Sequence, residues 1–401
     1  LTSQISLPNK KLDPKPQGRD IRQVIEPNFV NAMAKSFTVQ EIAESVEGRV
    51  IGDGALRITR LAHPANVRDA NDLAIAMDEK LLPLLKDGKA IAAVIGANGE
   101  AESSFIATRI VVGRPRLALA RLTSLFAEPV TLDPGIHPSA VVEAGAHIGK
   151  GVAIGAFVFV GKDAVIGDYC ALHPQAYVGA GAVIGAHSTL YSGVKVGEHT
   201  HIGARAIIHF NASIGADGFS FVTPQTGSVE AAKTGSTGTV TASNTALIRI
   251  ASLAPVLIGE DVEIGANTSI DRGTLASTRI GNGTKIDNQV QIGHNVVIGD
   301  NCMICGRTGI AGSVTIGDRV VLGGAVGIAD HVTIGDDAIA MAMSGIAGNV
   351  APRTIVGGAP ALPRERVMEN MFNIGRLKQF FKKTDDLATR LEKLEKNSEN
   401  D

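Results

Sequence analysis

His294 stands two residues after Ile292 in the stretch Ile286-Asp287-Asn288-Gln289-Val290-Gln291-Ile292-Gly293-His294-Asn295. Eighteen residues further on comes Gly312, in Gly309-Ile310-Ala311-Gly312-Ser313, and thirty-seven residues further on comes His331. An imidazole titrates near neutral pH and can take a proton from a nucleophile, and a glycine N–H, unshielded by a side chain, can donate to a developing oxyanion. That is the minimal equipment for acyl transfer, provided the fold turns a separation of eighteen residues into proximity. Other signals are weaker. Gly155 to Lys162 has glycine spacing one residue too long for a phosphate loop, with Asp163 where Ser or Thr is required. Cys302-Met303-Ile304-Cys305 has metal-like spacing but no second pair, which favours packing cysteines over a metal site.

The positioning elements follow from a repeat. From Ile136 to Ile214 an aliphatic residue recurs at every sixth position for fourteen consecutive sites, nine of them followed directly by Gly. A second run extends from Ile258 to Ile334, with a four-residue slip at Gly273 to Ala276. A helical period of 3.6 cannot produce sixes, and heptads cannot either. Six residues make one short strand and a corner, and three such units close a triangular coil of eighteen residues whose inward aliphatics stack at roughly 4.8 Å per rung. The glycine after each inward residue suits a corner where a Cβ would crowd the chain or where φ must become positive. In this register His294, Gly312 and His331 share one exposed corner column. Ala216 to Pro255 breaks the register and reads as a long, functional excursion from one corner.

Composition agrees and excludes. Glycine accounts for 46 of 401 residues, Phe, Tyr and Trp together for only 4%, and the apolar fraction is 44%, so the core must be aliphatic. With 38 Lys+Arg against 40 Asp+Glu there is no broad basic field for nucleic acid. Three cysteines, Cys170, Cys302 and Cys305, are too few for a disulfide framework, which points to the cytoplasm. No apolar run approaches the ~18 residues of a membrane span, so no stable membrane insertion is expected. Residues 1–34 read as a disordered polar extension, 35–130 as a small α/β domain, 131–358 as the repeat with its loop at 216–255, and 359–401 as a C-terminal helical segment. Within the α/β domain, Phe37 to Val46 and Arg116 to Ala127 have helical spacing and Ala90 to Ile95 suits a buried strand. Glu365 to Lys396 is amphipathic, with a break expected near Gly375 or Thr384.

Four segments carry a resemblance. Gly215-Ala216-Asp217-Gly218-Phe219, Thr268-Ser269-Ile270-Asp271-Arg272-Gly273, Ile286-Asp287-Asn288-Gln289 and Gly293-His294-Asn295-Val296-Val297-Ile298-Gly299-Asp300-Asn301 resemble the UDP-3-O-(3-hydroxyacyl)glucosamine N-acyltransferases of lipid A biosynthesis, within the hexapeptide-repeat acyltransferase superfamily. The likeness extends over roughly residues 35–390. It implies a left-handed parallel β-helix, a homotrimer, and transfer of a 3-hydroxyacyl group from holo acyl carrier protein to the 2-amino group of the UDP-sugar. It implies no resident cofactor and no metal, the phosphopantetheine arriving on the donor. His294 matches the general base, Asp287 the carboxylate that primes it within the chain or across an interface, and Gly312 the oxyanion donor. His331, Asp217, Phe219 and Asn295 fall on the substrate side. Related O-acyltransferases share the prism and a histidine but lack the N-terminal domain and the Asp-Arg-Gly context.

Two features bear on substrate and partner. The family stacks uracil between Phe and Tyr of the nucleotide-binding domain, whereas here the stretch from Asp72 to Leu81 holds no aromatic residue and aliphatic side chains stand at both positions, so with base stacking worth ~1–3 kcal/mol the expectation is either weaker nucleotide binding or replacement by other contacts. Arg364, Arg366, Arg376, Lys378, Lys382 and Lys383 suit docking of an acidic carrier protein or form the solvated face of a trimer-packing helix. Met341 and Met343 are candidate walls of a lipid groove.

The competing enzyme class is a zinc-dependent β-helix hydratase, because His137, His173 and His209 recur at multiples of eighteen with Gly155 and Tyr191 between. Alternate rungs are about 9.6 Å apart, too far for one ion with bonds of ~2.1 Å. Elemental analysis of the purified protein is therefore expected to find zinc well below one ion per chain, and stoichiometric zinc would favour the hydratase.

Overall fold

Each hexapeptide contributes a two-residue strand, such as Gln291–Ile292, Gly309–Ile310 or Gly327–Ile328, and four residues that turn the chain toward the next face. In the computed structural model, residues 35–86, 88–128, 132–225, 227–228, 230, 246–358 and 361–398 are described. The extension expected at 1–34 and most of the tip of the 216–255 loop lie outside them. The chain divides into two compact units between residues 130 and 131.

Among the described residues the larger unit is a parallel β-helix with three faces of 11, 10 and 9 strands. Face I begins at Gly135–Ile136, face II at Val141–Val142 and face III at His147–Ile148. Pairing is in register at eighteen residues, as in Ile292 with Ile310 and Ile310 with Ile328. The ladder survives two interruptions, since Ile208 pairs with Ile264 across the excursion and Ile270 with Ile292 across the slip. Ile292, Ile310, Ile328 and Ile346 stack inward on face II, all buried.

The corners differ in detail from the expectation. Of the two reasons offered for the glycines, close approach is the one that holds: a Cβ on Gly161 would lie 2.7 Å from the Ala180 nitrogen, and on Gly185 2.4 Å from the Ala204 nitrogen. The left-handed backbone falls two residues later, mostly on residues other than glycine, among them Asn295 (φ 61°) and His331 (φ 60°). A second buried column also has period six, four residues after each inward aliphatic: Val290, Val296, Cys302, Thr308 and Val314 are examples. Most of its polar members donate to a carbonyl one rung up, as Cys302 Sγ does to Gly317 at 3.1 Å and Thr284 Oγ1 to Gly299 at 2.9 Å, whereas Ser344 Oγ donates to Met341 of its own rung and Thr200 Oγ1 has no partner among the described residues. The Cys302 thiol is thus a small packing group, and burial pushes its pKa up.

The smaller unit is a five-stranded sheet in the order Arg49–Ile51, Thr108–Val112, Ala92–Gly96, Asp72–Ala76, Arg60–Ala62. Its first helix is Val39–Ser45 rather than starting at Phe37, because Thr38 and Glu41 form a capping box and Phe37–Thr38 pairs with Arg57–Ile58. Pro115 opens the second expected helix, Pro115–Phe126.

After the prism, one unbroken helix runs Arg364–Ser398, without the break expected near Gly375 or Thr384. Thr384 keeps its hydroxyl within the helix by donating to the Phe380 carbonyl at 3.0 Å, and an interior glycine costs only about 1 kcal/mol. No helix among the described residues is long and apolar enough to cross a membrane.

The stacked core sets a stability prediction. Leu190 is fully buried between Leu172 and Ile208 on face I. Leu190→Ala is expected to lower the unfolding free energy by about 2–5 kcal/mol, read from urea denaturation.

Candidate active site

The turn after Ile292, at the corner between faces II and III, holds an imidazole. His294 is half-buried. Gly312 lies one rung on, and a Cβ there would meet His294 Cε1 at 2.7 Å and Nε2 at 2.8 Å. From the other direction comes Gly218, whose added Cβ would meet His294 Cβ at 2.7 Å and the ring at 2.9 Å. The imidazole is thus held between two glycines. The Gly312 N–H has no hydrogen-bond partner among the described residues, while its carbonyl accepts from His331 N–H at 3.2 Å. His331 is exposed on the next rung.

Asn295 packs beside the ring. Its Oδ1 lies 2.8 Å from His294 Nδ1 and accepts from Thr274, through N–H at 3.2 Å and Oγ1 at 3.0 Å. Its Nδ2 donates to the Ala276 carbonyl at 2.7 Å, and its own N–H donates to Thr278 Oγ1 at 2.9 Å. One rung below, Asp271 is the carboxylate that interacts with His294: burial pushes its pKa up, opposed by a hydrogen bond with Gln291 and by attraction to the imidazole.

Both interruptions of the repeat converge here. The excursion leaves after Ser213–Ala216, forms a short antiparallel pair of Phe221–Val222 with Ile248–Arg249, and returns at Val256–Ile258. Its returning limb is joined to the slip by Leu253 N–H to Thr274 carbonyl at 2.9 Å and Ala254 N–H to Gly273 carbonyl at 3.0 Å. Gly218 is fixed by donating to the buried Ser252 Oγ at 3.0 Å. Asp217 is exposed, and Phe219 is 86% exposed, touching Phe221 edge-on at 5.0 Å.

Asp287 stands elsewhere. It follows face I, so it lies at the corner between faces I and II, where its carboxylate accepts from Asn288 N–H at 2.7 Å and Gly306 N–H at 2.9 Å. A groove of about 580 Å³ beside it is lined by His209, Phe210, Glu263, Lys285, Asp287 and Met303. His173, Tyr191 and His209 form a stacked ladder at 4.9 and 5.2 Å, the last 2.9 Å from Glu263. Among the described residues no group of three or more His, Cys, Asp or Glu is placed to hold a metal ion. In the smaller unit, Ile75, Met77 and Leu81 line an apolar hollow of about 360 Å³ with Pro115, Arg116 and Leu119.

The bacterial transferase hexapeptide (six repeats) family matches residues 158–197 and 277–312, the second segment containing both His294 and Gly312. The UDP-3-O-acylglucosamine N-acyltransferase of Ruegeria pomeroyi is 40% identical over 275 residues, 69% of this chain and 76% of that protein. Its counterpart in Paracoccus denitrificans is 40% identical over 278 residues, with the same coverage. This chain belongs to the UDP-3-O-acylglucosamine N-acyltransferase family. It is an N-acyltransferase. Among solved structures, the Arabidopsis UDP-N-acetylglucosamine acyltransferase is 25% identical, covering 61% of this chain and 80% of that one at a TM-score of 0.46.

Within the acyltransferase's site, the eighteen-residue arithmetic finds His294, Gly312 and His331 but misses Gly218, Thr274 and Asp271. Gly218 and Thr274 lie in or beside the two register breaks, where spacing predicts no neighbours. Asp271 is recoverable, since Ile270 pairs with Ile292 and the residue after each therefore shares a corner. Gly312→Ala would drive a methyl into the ring, so the enzyme's turnover is expected to fall at least about 10-fold while the melting temperature changes little, measured by steady-state kinetics alongside thermal denaturation.

Proposed function

We propose that this enzyme moves a 3-hydroxyacyl group from the thioester of holo acyl carrier protein to the 2-amino group of a UDP-3-O-(3-hydroxyacyl)glucosamine, forming the amide of a lipid A precursor. The observation that carries this reading is the His294 imidazole held against a glycine whose N–H has no partner among the described residues. The neutral amine attacks the thioester carbonyl, and His294 takes the proton the amine loses. Negative charge on the carbonyl oxygen is met by the Gly312 N–H. Collapse breaks the C–S bond, and the imidazolium returns its proton to the departing phosphopantetheine thiolate. His331, exposed one rung on, and Phe219 are the proposed contacts for the pantetheine arm and the acceptor.

A trimer accounts for the separation of Asp287 from His294. They sit at opposite edges of face II, so three copies with face II toward a common axis would bring Asp287 of one to His294 of the next. Face II carries Gly309, Gly327 and Gly345 at successive outward positions, where an added Cβ would meet nothing within 4 Å. The chain's own packing does not require glycine there; room for an acyl or pantetheine chain does. Met341 and Met343, both exposed after face I, remain candidate walls. The hollow at Ile75, Met77 and Leu81, with Arg116 beside it, is the proposed seat of the nucleotide, held by aliphatic rather than aromatic packing. The cationic residues of Arg364–Ser398 are proposed to dock the acidic carrier protein.

The test is formation of the UDP-diacylglucosamine from 3-hydroxyacyl carrier protein and the acceptor, followed by mass spectrometry. His294→Ala is expected to lower kcat by about 10²–10⁴-fold with the fold retained. A variant that keeps most of the wild-type rate would remove His294 from the role of base.

A further inference from the structure

We propose that Asn295 is the positioning residue that holds His294 as its Nδ1–H tautomer and thereby presents Nε2 as the proton-accepting atom, an inference that rests on reading His294 as the base. The hydrogen bonds around the amide leave one arrangement. A peptide N–H only donates and a peptide carbonyl only accepts. The Thr274 N–H reaches one terminal atom of the Asn295 amide at 3.2 Å, and the Ala276 carbonyl is 2.7 Å from the other. The first must be Oδ1 and the second Nδ2. The same Oδ1 lies 2.8 Å from His294 Nδ1, so that nitrogen must carry hydrogen to make the contact favourable. In a neutral imidazole the lone pair is then on Nε2. Of the two ring nitrogens Nε2 is the nearer to Gly312, 2.8 Å from the position of an added Cβ against 3.2 Å for Nδ1, so the base atom lies on the side of the N–H that has no partner among the described residues and is assigned to the oxyanion.

This also gives the four-residue slip a purpose. Thr274 and Ala276 both lie within Gly273 to Ala276, and an uninterrupted rung would place neither beside Asn295. The Asn295 backbone is fixed as well, at φ 61° with its N–H on Thr278 Oγ1. An amide is suited to this task because it orients the ring without adding charge. A carboxylate in the same place would favour the imidazolium, which cannot accept a proton. The charged groups on segments packed against His294 are Asp271 and Arg272 one rung below, Asp217 beside Gly218, and Asp330 and His331 two rungs above, joined by Asp287 of the next copy in the proposed trimer; Asp271 interacts electrostatically with His294. Asn295 thus sets the direction in which the ring presents its lone pair.

The experiment is ¹⁵N NMR of the full-length protein labelled at histidine, with His294 assigned by the signals lost in His294→Ala, together with kcat, KM and the pH profile of two variants. The wild type is expected to show a protonated Nδ1 and an unprotonated Nε2 in the neutral ring. Asn295→Gly tolerates the positive φ and removes the amide; it is expected to lose the Nδ1–H preference and to lower kcat at least about 10-fold, within the 10²–10⁴ that a general base contributes, with KM changed little. Asn295→Asp supplies an acceptor again, so it should restore the Nδ1–H form and most of kcat. Its negative charge raises the imidazole pKa, so the acidic limb of its profile should move to higher pH. A wild-type ring protonated on Nε2 would overturn the proposal, as would a folded Asn295→Gly with unchanged tautomer and kcat. If Asn295→Gly does not fold, the wild-type spectrum decides. Should His294→Ala keep its rate, the general-base reading fails, and the tautomer assignment is judged on the spectra alone.

Discussion

The backbone hydrogen bond from one rung to the next is the interaction on which the rest of the molecule depends. Gly293 N–H must find the Ile310 carbonyl, at 2.9 Å, and Gly309 N–H the Val326 carbonyl, at 2.8 Å. Strands of two residues make few such bonds each, so the rung must return at eighteen residues for the ladder to close. That requirement stacks the inward aliphatics and brings glycine against the backbone of the next rung. It also creates the second buried column, in which Thr, Ser, Cys, Val and Ala share one slot because each is small and most of the polar ones find a carbonyl one rung up.

A perfectly regular prism offers the same corner many times over, which is a poor basis for a single site. The enzyme makes one corner different by breaking the repeat twice and joining the two breaks. The excursion supplies Gly218 to one side of the imidazole, the slip supplies Thr274 and Ala276 to Asn295, and Ala254 N–H to Gly273 carbonyl binds them together. Loss of ladder bonds at these places is offset by hydrogen bonds between the irregular segments themselves, so the departure from periodicity carries little unsatisfied polar surface.

Charge is distributed with similar economy. Asp271, partly withdrawn from water, is the carboxylate that the structure places in electrostatic reach of His294, and Asp287 is engaged at the next corner by two backbone N–H groups. In the smaller unit the nearly buried Asp72 is held by Arg60 and by Arg68 N–H at 2.6 Å, so the start of the stretch from Asp72 to Leu81 serves the sheet, while Ile75, Met77 and Leu81 face an apolar hollow.

Much of this was legible in the residue order. Period six named the faces, the inward residues and the corner shared by His294, Gly312 and His331, because a parallel ladder of fixed rung length converts spacing directly into position. Helical spacing and a buried strand in the smaller unit were legible for the same reason, though Thr38 as a cap moved one boundary and Gly375 did not end the last helix. What the period could not supply lies where it fails. Ile270 meets Ile292 at a separation of twenty-two, so the neighbours of Asn295 cannot be counted from the repeat. The sequence by itself determined the prism and the column that carries the imidazole. Only the tertiary structure decided which glycines enclose that ring and which of its nitrogens is turned toward Gly312, because those depend on hydrogen bonds between irregular segments that no periodicity relates.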